Sequence, residues 1–125
     1  MSDRPGSYRM LVLAAWLALA GGAHAQPGLR LLSEVEISQR FQDVRLGPDG
    51  QEGTRYFGSA GHFEELARLP LHGRSWASGS RLCTQILTVE RPASCVDVLI
   101  DAEGSLYLRE ANSGLRKIVL EPSTR

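Results

Sequence analysis

Residues 95–120, "CVDVLIDAEGSLYLREANSGLRKIVL", decide how this chain folds. "CVDVLI" alternates strictly. Cys95 shares one face with Asp97 and Leu99, while Val96 shares the other with Val98 and Ile100, the period-2 pattern of a strand. "DAEG" and "ANSG" are turn clusters, and "SLYLRE" and "LRKIVL" are further short runs of strand-forming residues. Strands joined by tight turns make an antiparallel meander, and the pattern continues toward the N-terminus. "GRSWA" and "RLCTQILTV" flank the tight turn "SGS", and "ERPAS" interrupts pairing because Pro92 has no N–H for a ladder. Before them come "DVRL", the turn cluster "GPDGQEG", "TRYFG" and the turn "SAG". "HFEELARL" fits a helical face through Phe63, Leu66 and Ala67 or a hairpin partner for "TRYFG"; the short flanking turns favour a strand. The final "EPSTR" reads as a frayed tail.

One segment breaks the β pattern. In "LLSEVEISQRFQD", Ser33 is placed to cap a first turn while Glu36 reaches back to the cap's own amide, and Leu32 and Ile37 form a hydrophobic staple. Ile37, Phe41 and Val44 fall on one helical face, so a helix is expected over about 34–42. The expected fold is mainly β. An N-terminal helix precedes an antiparallel meander of about eight short strands, curled into a small barrel or strongly bent sheet whose closure removes aggregation-prone edges.

The first 25 residues have the three parts of a secretory signal: Arg4 and Arg9, the apolar run "MLVLAAWLALA", and the small-residue site "AHA" before Gln26. The apolar run is about half the ~20 residues a spanning helix needs. Cleavage after Ala25 leaves 26–125 as a single small β domain in a periplasmic or extracellular space. From Gln26 onward the formal net charge is −1, with the signs interspersed. That balance gives no case for nucleic acid or for an anionic membrane surface. A monomer with no stable membrane insertion is expected. Two cysteines in an oxidising space most simply form one disulfide, Cys83–Cys95, since their spacing matches neither a redox C-x-x-C nor a zinc pattern. A simple hairpin with the two cysteines opposite would centre on Val89, whereas the proline-containing turn centres nearer Pro92. Either the turn starts earlier or the bond joins positions that are not directly paired.

"GRSWASGSRLCTQ", the second cysteine, and the aromatic strand after a turn glycine, preceded by "RYFGSAG", resemble a family of small secreted proteobacterial proteins of unknown function. Here the glycine and tryptophan are spaced G-x-x-W, from Gly73 to Trp76. The resemblance covers about Ile37 to Ile118, and it implies fold and compartment but no activity.

Little in the chain points to chemistry, and no catalytic, cofactor or metal residue is assigned. His62 and His72 could bind metal with Glu64 and Glu65, but their spacing matches no ligand motif and they read as unrelated surface histidines. Glu64 and Glu65, adjacent on a strand, should point to opposite faces. No serine sits in a G-x-S-x-G elbow. Trp76 is expected to fill the core. If one barrel end is open, Trp76, Tyr56, Phe57 and Tyr107 are instead candidates to line a mouth for a small apolar ligand. The expected function is therefore non-enzymatic binding of a partner protein or small apolar ligand. Two alternatives stand beside it: a barrel-type protease inhibitor presenting "QPGLRLL" as a projecting segment, and a hydrolase with an unrecognised site.

Overall fold

The computed structural model describes residues 28–124; the expected signal segment lies outside them. Among the described residues ten strands and one α-helix, with a short 3-10 turn at Ser59–Gly61, follow in order. They are β1 (Arg30–Leu31), α1 (Glu34–Arg40), β2 (Val44–Leu46), β3 (Arg55–Phe57), β4 (His62–Glu65), β5 (Leu71–Ser78), β6 (Arg81–Ile86), β7 (Ser94–Ile100), β8 (Leu106–Glu110), β9 (Gly114–Ile118) and β10 (Leu120–Pro122). Strands β2 to β9 form an up-and-down antiparallel meander, and β10 returns to pair with β2. Since β10 continues β9 after the single residue Val119, one run of chain pairs first with β8 and then with β2. The sheet nearly closes into a barrel. The start of "EPSTR" is thus not the frayed tail expected: Glu121 and Pro122 pair with Arg45 and Val44, and the Ser123 amide donates to the Asp43 carbonyl at 2.9 Å. The ambiguous "HFEELARL" opens as strand β4, paired with β3 and β5.

The pleat sorts residues by face. Phe57, Phe63, Leu82, Ile86, Val98, Ile100, Leu106, Leu108 and Ile118 join one buried core with Leu32, Ile37 and Phe41 from the helical segment. Phe57 packs against Phe41 edge-on and against Phe63, both with ring centroids 5.2 Å apart. Helix α1 seals the end of the barrel where the β3–β4, β5–β6 and β7–β8 turns lie. Its capping box forms as expected, with Ser33 Oγ accepting from the Glu36 amide and Glu36 Oε1 accepting from the Ser33 amide. The Gly79 amide in the β5–β6 turn also donates to Glu34 Oε1, which ties the helix to that end.

Two helix expectations are corrected. A two-residue strand precedes it, so it is not the first element. It also stops at Arg40 instead of Gln42, because Phe41 leaves the helical region and Asp43 takes a left-handed φ of 55°, turning the chain into β2. Val44 therefore belongs to a strand, where it pairs with Phe57.

The disulfide forms between Cys83 and Cys95, which sit directly opposite one another on β6 and β7 with Cα atoms 4.0 Å apart. Of the two sequence alternatives, direct pairing holds. The last ladder pair after it is Thr84 with Ser94, so a long connection carries Arg91 and Pro92 beyond the bond. Among the described residues no helix is long and apolar enough to cross a membrane.

Candidate functional site

The barrel end opposite α1 is open. There the inward-facing residues of the strands stop short of a seal, and a cavity of about 260 Å³ remains above the core. Its floor is the upper surface of that core, formed by Phe57, Phe63, Leu82, Ile86 and Leu108 with the half-buried Val96. The rim is polar: Arg55, Glu65, Thr84, Ser94 and Glu110 from the strand ends, and Arg91 with Pro92 from the β6–β7 connection. Arg55 and Glu65 lie opposite each other on β3 and β4 and form an ion pair at 3.6 Å.

A glycine in the neighbouring wall sets how closely two strands approach. Gly73 on β5 stands between Phe63 and Ile86, its partners on β4 and β6, and contributes no side chain to the inner face. A Cβ there would collide with the Gln85 carbonyl oxygen, so the close approach of β5 and β6 requires glycine. The disulfide lies on the outer wall just below the rim and fixes the base of the connection that carries Arg91 and Pro92.

Of the four aromatics expected at a mouth, only Phe57 lines this cavity. Tyr56 alternates with it to the outer face, where it is buried under the 47–53 turn; its hydroxyl donates to Asp49 Oδ1 at 2.7 Å and accepts from the Gly50 amide at 2.8 Å. Tyr107 also faces outward and donates to Asp101 Oδ2 at 2.9 Å. Trp76 is neither core nor mouth. It stands opposite Cys83 on the outer wall, 36% exposed, with the Arg74 guanidinium 4.9 Å from its ring centre. The reason is phase: Ser75 and Ala77 take the inward positions of β5, and the indole falls between them.

The charged groups sort the same way. Glu65 turns in to the rim and Glu64 turns out, as their adjacency required. Asp97 is held on the outer wall between Arg81 at 3.2 Å and Arg109 at 2.9 Å. Asp101 accepts from the Ser105 amide, the Tyr107 hydroxyl and the Glu103 amide, which together hold its carboxyl below the usual range.

The rim residues Arg55, Thr84, Arg91, Ser94 and Glu110 had not stood out in the sequence. Their signal was positional, since each lies at the end of a strand, or in a connection, that points to one end of the barrel. His62 and His72, ten residues apart in the chain, are brought together. His62 and Glu64 lie on the outer face of β4, and His72 is the cross-strand partner of Glu64. The described part of "QPGLRLL" does not project. Arg30 and Leu31 pair with Ile100 and Leu99 of β7, and Leu32 is buried. No family model, curated protein or solved structure matches the chain.

Proposed function

We propose that this protein is a non-enzymatic binding barrel of the periplasm or extracellular space, which takes a small, largely apolar ligand with a polar head into its open end. The observation that carries this reading is the cavity itself, with an apolar floor of core side chains beneath a charged rim. Ligand sites combine such a surface with a few placed polar groups in this way. At about 260 Å³ the space is just below the roughly 300–1,000 Å³ of drug-sized pockets. The occupant is therefore small, of the size of a short acyl chain or a single ring. Arg55 and Arg91 on the rim favour an anionic head, while Glu65 and Glu110 limit that preference. Export is read from the N-terminal sequence and agrees with the disulfide, a bond of oxidising compartments. Intact-mass measurement of exported protein should find a chain that begins at Gln26.

Octanoate and octanol are suitable probes, followed by calorimetry and by amide shifts in NMR spectra. Octanoate should bind with shifts clustered at β6, β7 and the rim, and Val96→Phe, which fills the cavity without adding charge, should remove them while the circular dichroism stays unchanged. Arg91→Ala should weaken octanoate more than octanol. Binding that survives Val96→Phe, or shifts scattered over the surface, would overturn the reading.

A partner protein is a second reading, favoured by one observation. Leu69, Leu87 and Val89 are exposed on the two connections that flank the open end. Exposed apolar groups gathered at one end of a fold suit a partner surface. A partner that inserts an apolar side chain would lose affinity on both Leu87→Asp and Val96→Phe, whereas a small ligand would lose it only on the second.

A further inference from the structure

We propose that His62, Glu64 and His72 form a binding site for a divalent transition metal ion of the zinc class, on the outer wall of the barrel and separate from the cavity. Two imidazoles and a carboxylate are a donor set that zinc accepts as three protein ligands, with a fourth position left for water or an incoming group. The three residues come from adjacent central strands. His62 and Glu64 are two apart on β4, so their side chains leave the same face, and His72 on β5 is paired directly across from Glu64. Each residue offers one ligand atom, and these atoms lie within 4.8 Å of one another.

Tetrahedral coordination at ~2.0–2.1 Å places ligand atoms roughly 3.3 Å apart. The remaining distance is within reach of side-chain rotation. His62 and His72 are exposed, with ring centres 6.0 Å apart, while Glu64 is 8% exposed and supplies the fixed member. Neither strand need move, since β4 and β5 are each paired on both sides.

Two neighbouring polar side chains are directed elsewhere. Arg74 stands across from His62 on the same face and would oppose a cation there. Its guanidinium instead stacks over Trp76 and donates to Gln85 Oε1 at 3.3 Å, on the β6 side. Tyr56, across from Glu64 on β3, has its hydroxyl engaged with Asp49 and Gly50. Both cysteines are in the disulfide, so no thiolate competes for the ion. Calcium and magnesium are poorly matched, since they call for six or more oxygen ligands or a retained shell of water.

The test is zinc titration of the full, untagged chain under non-reducing conditions, followed by calorimetry, with cobalt(II) as a spectroscopic probe of the same site. One zinc ion per chain is expected, with cobalt giving the visible bands of a four- or five-coordinate nitrogen–oxygen site. His62→Ala, His72→Ala and Glu64→Gln should each weaken zinc at least about tenfold, the lower end of what even outer-shell changes cost a metal site. The double histidine variant should abolish binding. Both histidines are exposed, so the histidine variants should keep the circular dichroism of the parent. Absence of zinc binding by the parent, or binding that survives the double variant, would overturn the proposal.

Discussion

Gly73 shows how a single residue sets the shape of this barrel. The inner face of β5 runs Leu71, Gly73, Ser75 and Ala77, and Gly73 stands between Phe63 of β4 and Ile86 of β6, where it lets the strands approach closely. Gly73→Ala would drive a Cβ into the Gln85 carbonyl and should lower stability by about 1–3 kcal/mol, the usual cost of overpacking, as a reduced urea midpoint with an unchanged m-value. Asp101 offers a second prediction at this scale. Its carboxylate is stabilised by the Ser105 amide, the Tyr107 hydroxyl and the Glu103 amide, so the folded chain holds this proton less tightly than the unfolded one. The resulting stability is present above the ordinary carboxylate range and is lost as pH falls through the lowered value. Tyr107, bonded to Asp101, titrates above its ordinary 10.0 for that reason, and its contribution is lost as pH rises through the raised value. Asp101→Asn should flatten both limbs of the stability–pH curve, measured by thermal unfolding at several pH values. Residue-level expectations held where the pleat alone decided them, as with Glu64 and Glu65. They failed for Trp76, Tyr56 and Tyr107, whose size suggests burial within while only strand phase says which side they take.

Helix α1 was legible because everything that starts it is local. Ser33, Glu36, Leu32 and Ile37 lie within six residues, and the capping box needs no tertiary partner. What ends the helix was hidden. Val44 continues the helical spacing of Ile37 and Phe41 by coincidence, since the inward positions of β2 begin there. The ion pair at its start was also out of view, because Arg30 comes from β1. Arg30 donates to both Glu36 oxygens, at 3.0 and 2.9 Å, and the Ser33 amide adds a third bond, which lowers the Glu36 carboxyl to about 2 from an ordinary 4.5. A depressed carboxylate contributes stability above its unfolded value and loses it as pH falls through its folded one. The contribution should thus be full above about pH 4.5 and fade as pH falls toward about 2, and Glu36→Gln, which cannot titrate, should lower stability at neutral pH and remove this part of the acid limb. Ser33→Ala, which removes the other half of the box, should cost about 1 kcal/mol at neutral pH, read from the urea midpoint.

The meander was readable at the level of the whole molecule because alternation and turn residues recur from Asp43 to Ile118, but closure was not. Three residues, Leu120 to Pro122, join the two ends of the sheet, too few for a periodic signal, and one of them is a proline. Their pairing with β2 matters more than their number suggests, since without it β2 becomes a free edge that invites association. Truncation after Ile118 should give a chain that retains β circular dichroism but self-associates in light scattering. The disulfide works at the same scale, although closure does not depend on it. It closes a loop with 11 residues between its cysteines, so the Cys83→Ser, Cys95→Ser double variant should lose roughly 3 kcal/mol through the larger freedom of its unfolded state. Cys83 and Cys95 stay paired by the β6–β7 ladder when unbonded, so the barrel should persist. The connection carrying Arg91 and Pro92 should loosen, however, because the bond lies one ladder pair from its start. Hydrogen exchange comparing parent and variant should therefore show lost protection concentrated at 84–95, with α1 and β2 to β4 following only the global change. Octanoate binding should weaken in the same variant, since the connection supplies one wall of the cavity. Uniform loss of protection would instead mean that the bond holds the barrel as a whole and not its mouth.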